Sequence, residues 1–429
     1  MKRIMINKLN EYIDDKVLIK GWIHSIRKLK SITFLIIRDR TGLLQAVIEN
    51  EKINSLEITL ESVVSISGTI KSSKNNLNPF EISVEELTML NLSKNELPIE
   101  INKKSLDINL DTLLNNRMLS LRHETINSIF KIQNIISDAF REYLTLEGFT
   151  EISTPKIVKE GAEGGSEIFK LKYFENEAYL CQSPQFYKQL MVGAGFERVF
   201  EIGHVYRAEE HNTARHLNEY ISMDLEMGFI EDENDIMNLE EKLLKFILNK
   251  VTNKGKDYVN FLKAKIPVIN SNIPRMKLSH AINILKAEYN KTDLKEDLDP
   301  EGEKLICKYA KEKLNCDFIF LTHYPRKKRP MYTMPDGNQL THSFDLLFRG
   351  VEITTGGQRI HNHDMLIQNI KLKGLNPDNY KSYTDNFKYG MPPHGGLAIG
   401  LERITCQLLG LNNIREASLI PRDRTRLIP

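Results

Sequence analysis

Two stretches concentrate residues able to do chemistry. Residues 204–220, HVYRAEEHNTARHLNEY, put Arg207, Glu209, Arg215 and His216 into one short span with strand-like flanks. After it, Ile221, Met223, Leu225, Met227 and Phe229 alternate with Ser222, Asp224, Glu226 and Gly228. That period of two predicts a half-buried strand with carboxylates on its polar face. If 199–207 is also a strand, Glu201, Gly203, Val205 and Arg207 share a face. An Arg fixed on a sheet with a cationic loop beyond it suits a phosphate clamp; the alternative is a solvated loop of ion pairs.

In the second stretch, 343–359 (SFDLLFRGVEITTGGQR), Arg349-Gly350 predicts a two-residue hairpin turn that pairs Phe348 with Val351 and Asp345 with Thr354. Asp345 and Glu352 then lie diagonally on one side, amid apolar neighbours. Carboxylates so placed repel, hold a raised pKa, or coordinate a hard divalent cation such as magnesium bridging phosphates. The alternative is a pair of unrelated surface acids.

Weaker signals accompany these. GMPPHGGLAIGLERITCQLLGL (390–411) offers glycines for close ligand approach, then a helix with Leu401, Ile404 and Leu408 inward. Arg403 in its first turn opposes the helix dipole and hints at an anionic partner, unless GLER is merely an amphipathic start. EGAEGGSEIF (160–169) is a Gly-rich acidic loop, on its face a flexible surface loop. QSPQFYKQL (182–190) sets Gln185 and Lys188 one turn apart at a helix start, with Ser183 as cap and Pro184 first.

These residues need elements to position them. VLIKGWIHSI, ITFLIIRD, LLQAVIE, SVVSISGTI and FEISVEEL read as five short strands, separated by turns such as 39–42 and 75–79. They fit a barrel of oligonucleotide-binding (OB-fold) type, or another small β-domain. A domain over 1–95 is followed by a polar linker, 96–120, and a larger domain over 121–429. In 124–147, Ile126, Ile129, Phe130, Ile132, Ile135, Ile136 and Phe140 recur at helical spacing, and Gly148 ends the run. Strands are expected around 167–180 and 198–230, a helix at 234–250, and a Lys/Glu-rich helical insertion at about 279–314, read as solvated. Further strands at 316–322, 331–334 and 341–355 precede helices near 364–373 and 398–410. Hairpins rather than alternation predict an antiparallel sheet flanked by helices, an α+β fold.

Bulk properties narrow the partners. Lys plus Arg number 59 against 57 Asp plus Glu, a net charge of +2, so gross electrostatics hold no partner, although a local nucleic-acid surface remains open. No run of about 18 apolar residues and no signal-peptide core occurs, which points to neither membrane nor export. The four cysteines are scattered, as suits a reducing cytoplasm, and form no zinc spacing.

Taken together, the segments resemble the three signature motifs of class II aminoacyl-tRNA synthetases. GFTEISTP (148–155) resembles motif 1, whose proline lies at a dimer interface; FEIGHVYRAEEHNTARHLNEY resembles motif 2; GLAIGLER resembles motif 3. Within the class, GAEGGSEIF, SPQFYK, VEITTGGQR and the ending PRDRTRLIP are similar to aspartyl-tRNA synthetases of archaeal and eukaryotic type, and the large bacterial insertion is missing. The resemblance implies an OB-fold anticodon-binding domain and a catalytic domain that joins L-aspartate, ATP and tRNA(Asp) as a cytoplasmic homodimer.

It also implies roles. Arg207 would bind the α-phosphate and Glu209 the adenine side, with Ala208, Arg215, His216 and Leu217 completing the loop. Arg403 would hold the γ-phosphate end within Gly400, Leu401, Glu402 and Arg403, and Asp345, Glu352 and Thr355 would carry Mg2+. Aspartate would meet Gln185, Lys188, Thr355 and Arg359, with Glu163 on its ammonium group. Lys188 and Arg359 as a cation pair around the side-chain carboxylate argue against an asparagine enzyme, because an amide brings no charge to offset their desolvation. In the barrel, Phe34 would stack an anticodon base and Gln45 read it, assisted by Glu81, although Phe34 could instead be a core aromatic. His24 after Gly21-Trp22-Ile23, with Pro79, goes with relaxed reading of the third anticodon base. That implies a non-discriminating enzyme that also charges tRNA(Asn), with an amidotransferase converting the product.

Overall fold

The computed structural model describes residues 1–429 except 75–76, 95, 104, 162–166, 211–212 and 270–271. The chain divides into two units, Met1–His123 and Glu124–Pro429.

In the first unit β1 (Lys16–Lys28), β2 (Ile32–Asp39), β3 (Gly42–Glu49), β4 (Val63–Ser72) and β5 (Phe80–Asn91) close a barrel in the order β1-β2-β3-β5-β4. Period-two alternation fills it. Leu35, Ile37, Leu44, Ala46, Ile66 and Ile82 point inward and are buried, while Phe34, Ile36, Gln45 and Glu81 lie on the other face. Residues 96–120, expected as a plain polar linker, contain buried Ile99, Ile101 and Leu114 and two helical segments, Leu110–Asn115 and Arg117–Ser120. Asn109 caps the first by accepting from the Thr112 amide, so this stretch has structure of its own.

The second unit opens with α1 (Glu124–Leu146), where the isoleucine stripe does become the buried face. Its sheet comprises β6 (Thr150–Glu151), β7 (Arg198–Tyr206), β8 (Glu219–Gly228), β9 (Arg275–Lys277), β10 (Phe318–Thr322), β11 (Ser343–Phe348), β12 (Val351–Arg359) and β13 (His394–Gly400). The spatial order is β9-β10-β11-β12-β13-β8-β7-β6. The inner strands pair antiparallel, and only the edge pairs β9–β10 and β6–β7 are parallel. On one face, α1, α3 (Glu233–Lys254) and α7 (Leu401–Leu409) pack against Met223, Leu225, Phe344, Leu346, Leu397 and Ile399. The residues alternating with these point the opposite way and carry the polar chemistry.

Several expectations change. No strand forms at 331–334; short strands lie at Pro335–Asp336 and Leu340–Thr341. The helix near 398–410 starts at Leu401, because His394–Gly400 is a strand between β12 and β8. The region 279–314 is no solvated insertion. Its helices α4 (Leu278–Tyr289) and α5 (Pro300–Lys313) bury Ala281, Ile282, Leu285, Ile306 and Ala310 against Ile319, Leu321 and Leu347, and Lys/Glu alternation marks only the outer faces. The β11–β12 hairpin turns at Arg349-Gly350 as expected, but Asp345 pairs with Thr355, not Thr354. A register shift puts Leu346 opposite Thr354 and Leu347 opposite Glu352, which leaves Ile353 as the extra residue of a bulge. The bulge turns Glu352 and Thr355, three apart in sequence, onto the face of Asp345.

Candidate active site

A cavity of about 510 Å³ opens on the polar face of the sheet. Its lining includes Ser222, Ala398 and Gly400, each alternating with a core residue, and Thr355 of β12. Of the expected residues, Gln185, Arg207, Glu209, Arg215, His216 and Leu217 line it. So do Glu352, Thr355, Arg359, Gly400, Glu402 and Arg403. Ala208 does not, and its amide donates to the Glu167 carbonyl at 2.7 Å. Leu401 is 3 % exposed and belongs to the core. Glu163 lies outside the described residues.

Arg207 follows β7 directly, and its Nη1 lies 3.9 Å from Glu209 Oε1; His216 Nε2 is 3.6 Å from the same carboxylate. Arg215 donates to Glu303 of α5, so this helix anchors the loop. Tyr220, absent from the sequence expectations, lines the cavity too. Burial raises its phenol pKa, against the lowering fields of Arg207 and Arg403, so its charge environment joins the two arginines. Arg403 Nη1 donates to the Glu352 carbonyl at 3.0 Å and lies 3.4 Å from its Oε1, while Thr355 Oγ1 donates to Oε1 at 3.0 Å. The first-turn arginine therefore has a carboxylate beside it. Glu402 is 4 % exposed; burial pushes its pKa up to about 8, although its carboxyl accepts from the Ile221 amide.

At the inner end the geometry departs from expectation. Lys188, expected with Arg359 as a pair of cations around the substrate side-chain carboxylate, is 1 % exposed. Its Nζ lies 2.8 Å from Asp224 Oδ1 and 3.5 Å from Glu226 Oε2, and donates to the Leu397 carbonyl at 3.1 Å. Arg359 Nε donates to Glu226 Oε1 at 3.0 Å, and Gln185 Nε2 to Glu226 Oε2 at 3.2 Å. The carboxylate face of β8 is thus a buried ionic cluster, not a half-exposed strand face. Burial alone would raise the Glu226 pKa, but Arg359, Lys188 and His394 outweigh it and hold it below the usual range. His394 donates from Nδ1 to the Pro392 carbonyl at 2.8 Å and accepts Gln189 Nε2 at 2.8 Å; burial lowers its pKa to about 4. Two cations balance two anions, an arrangement in which every member depends on the others.

Of the β13 glycines, Gly396 makes room for this cluster. A Cβ on Gly396 would stand 2.2 Å from Glu226 Oε2 and from the Leu225 carbonyl. Ser183 Oγ accepts the Gln185 amide at 3.2 Å, although the capping position is occupied by Pro184.

Asp345 is 6 % exposed and does not line the cavity; it ion-pairs with Arg329 at 2.8 Å. Burial pushes its pKa up to about 6, with Glu352 adding to the rise and Arg329 opposing it. Among the described residues its Oδ1 is buried without a hydrogen-bond partner, and no three His, Cys, Asp or Glu side chains converge as a metal site. A magnesium ion that keeps waters or phosphates needs only one or two protein carboxylates, so an orphaned Asp345 oxygen with Glu352 and Thr355 fits one.

On the barrel, Gln45 Nε2 donates to Glu81 Oε2 at 2.6 Å, and Ser73 Oγ donates to the same oxygen at 3.0 Å. Phe34 pairs with Val47 and so lies diagonal to Gln45 on the outer face; it is half-buried, not a core aromatic. His24 sits at a bulge in β1 and accepts Arg38 Nη1 at 3.0 Å, and Pro79 is exposed just before β5.

Comparisons with known proteins agree with this architecture. Residues 109–424 match the family of class II tRNA synthetases (D, K and N), and 17–90 match the OB-fold nucleic acid binding domain. The chain is 46 % identical to the aspartate–tRNA(Asp/Asn) ligase of Thermus thermophilus, covering 100 % of both chains. It is 43 % identical to the aspartate–tRNA(Asp) ligase of Picrophilus torridus, covering 99 % of this chain and 100 % of the relative. Asparaginyl-tRNA synthetase from Pyrococcus horikoshii, solved with asparaginyl-adenylate, superposes with a TM-score of 0.91 at 28 % identity over 100 % of both chains. Backbone shape therefore does not separate aspartate from asparagine enzymes. Because the family model spans most of the chain and the Thermus relative is 46 % identical along its whole length, the chain belongs to the class II tRNA synthetases.

Proposed function

We propose that the protein is an aspartate–tRNA ligase, which activates L-aspartate with ATP and transfers it to the 3′ end of tRNA(Asp) and also of tRNA(Asn). The observation that carries the amino-acid assignment is the inner cluster. Arg359 lines the cavity, while Lys188 beneath it offsets Asp224 and Glu226. Without Lys188 those buried acids would repel a substrate carboxylate; with it, the field at Arg359 favours one.

In the first step the substrate α-carboxylate attacks the α-phosphorus of ATP in line and pyrophosphate leaves. The nucleophile is already ionised, so positioning and charge stabilisation suffice. Arg207 would stabilise charge on the α-phosphate, Glu209 and His216 would flank the adenine side, and Arg403 would grip the γ end. Asp345, Glu352 and Thr355 would hold magnesium, which supplies countercharge to the β and γ phosphates. In the second step the terminal ribose hydroxyl of tRNA takes the aspartyl group. Phe34, Gln45 and Glu81 would read the anticodon, and His24 and Pro79 would relax the reading of its third base. Exposed Leu146, Phe196 and Phe229, at the sheet end where β6 and β7 begin and β8 ends, support a homodimer contact. The reaction belongs in the cytoplasm, with an amidotransferase converting the aspartyl-tRNA(Asn).

The decisive measurement is ATP–pyrophosphate exchange with aspartate or asparagine, followed by charging of both purified tRNAs. Aspartate-dependent exchange and two charged tRNAs are expected. Exchange with asparagine alone would sink the amino-acid assignment, and an uncharged tRNA(Asn) the relaxed specificity.

A further inference from the structure

The turn PRKKRP (325–330) contributed nothing to the expectations from sequence, yet its last arginine reaches the cavity. Arg329 Nη2 lies 2.8 Å from Asp345 Oδ2, and its guanidinium carbon stands 3.8 Å from the centre of the Tyr324 ring. The two side chains are only 10 % and 8 % exposed. An ion pair this deep is retained at a desolvation cost of several kcal/mol, so its remaining donors and acceptors are expected to be satisfied. They are not. Among the described residues, neither Arg329 Nε nor Asp345 Oδ1 has a hydrogen-bond partner, although both are buried. A buried donor or acceptor left unmade is costly, so each is a place where a ligand atom would be welcome. The acceptor suits a cation and the donor an anionic oxygen.

We propose that Arg329 is a third phosphate-binding arginine of this site, donating its Nε–H to an oxygen at the β,γ end of the triphosphate and of pyrophosphate. The inference rests on the ATP-dependent reading above. Position selects that end: Asp345 is opposite Thr355, and Thr355 bonds Glu352, which holds Arg403. Charge agrees. Arg207, Arg403 and Arg329 exceed Asp345 and Glu352 by one, and a divalent cation raises that to about +3 beside a triphosphate of about −4. Stacking on Tyr324 fixes the guanidinium plane, so while Nη2 lies against Asp345 the neighbouring Nε–H is left without a protein partner and open to a ligand. A lysine has a single head for both tasks.

Calorimetric titration of inorganic pyrophosphate with Mg2+, and separately of L-aspartate, tests this on the full-length chain and on Arg329→Lys and Arg329→Gln. Pyrophosphate affinity is expected to fall about tenfold or more in both variants, and aspartate affinity to stay within about twofold. Arg329→Lys keeps the countercharge to Asp345 and should melt within a few degrees of the unaltered protein. Wild-type pyrophosphate affinity in Arg329→Lys would overturn the proposal, as would equal losses for both ligands. Loss of the melting transition in the lysine variant would make Arg329 structural and overturn it as well. If the unaltered protein itself fails to bind pyrophosphate with Mg2+, the ATP reading falls together with this one.

Discussion

Lys188 shows how far a residue's chemistry depends on what surrounds it. Its charge was expected to meet substrate; instead it is paired with two buried acids, of which Glu226 also accepts from Arg359. Lys188→Met would leave buried Asp224 and Glu226 with one cation between them. A stability loss of about 3–5 kcal/mol in urea melts is expected. The KM for aspartate should rise at least about tenfold with little change for ATP, and an unchanged aspartate KM would count against the cluster. Arg207→Ala should cut adenylate formation by about 10²–10³-fold in exchange assays. Glu240 of α3 offers a pH test away from ligand. It is fully buried, neither oxygen has a hydrogen-bond partner among the described residues, and burial lifts its pKa to about 8, more than neighbouring Thr354 offsets. A raised acid holds its proton in the fold and loses it in the unfolded chain, so stability falls as pH climbs from about 4.5 towards 8. Glu240→Gln removes that dependence. It should melt higher than the parent at pH 8, by about 2–4 kcal/mol, with the gap closing near pH 5.

At the scale of elements, strand alternation and one bulge assemble the site. Were Ile353 paired in a regular hairpin instead of bulged, Glu352 would keep its face but Thr355 would turn into the core. The β13 glycines act at this scale as well. Gly396→Ala drives a methyl group into Glu226, and a loss of about 1–3 kcal/mol in stability with weaker aspartate binding is expected from melts and KM measurements. Wild-type KM in a variant that still folds would show that the carboxylate position is not critical.

For the whole molecule, the chain divides into two compact units, with residues 17–90 matching an OB-fold nucleic acid binding domain and 109–424 the class II synthetases. Phe34→Ala should therefore leave aspartate-dependent exchange intact and raise the KM for tRNA by about 10–100-fold, the range for losing one stacked base. Impaired exchange in that variant would contradict a purely anticodon role.

What the sequence determined by itself was local and periodic. The isoleucine stripe of α1, the five barrel strands, the Arg349-Gly350 turn, and Arg207, Glu352 and Arg403 at the cavity all follow from spacing and residue type. Tertiary structure decided what each charge faces. Period two sorted Asp224 and Glu226 onto a common face but carried no sign that this face is buried under Lys188 and Arg359. Lys/Glu alternation described the outside of α4 and α5 and was silent about Glu303 reaching Arg215. Arg329 sits in a turn with no periodicity at all. Pairing between residues far apart in the chain is settled by packing, because burial energy depends on which surfaces meet and not on the order in which the chain supplies them.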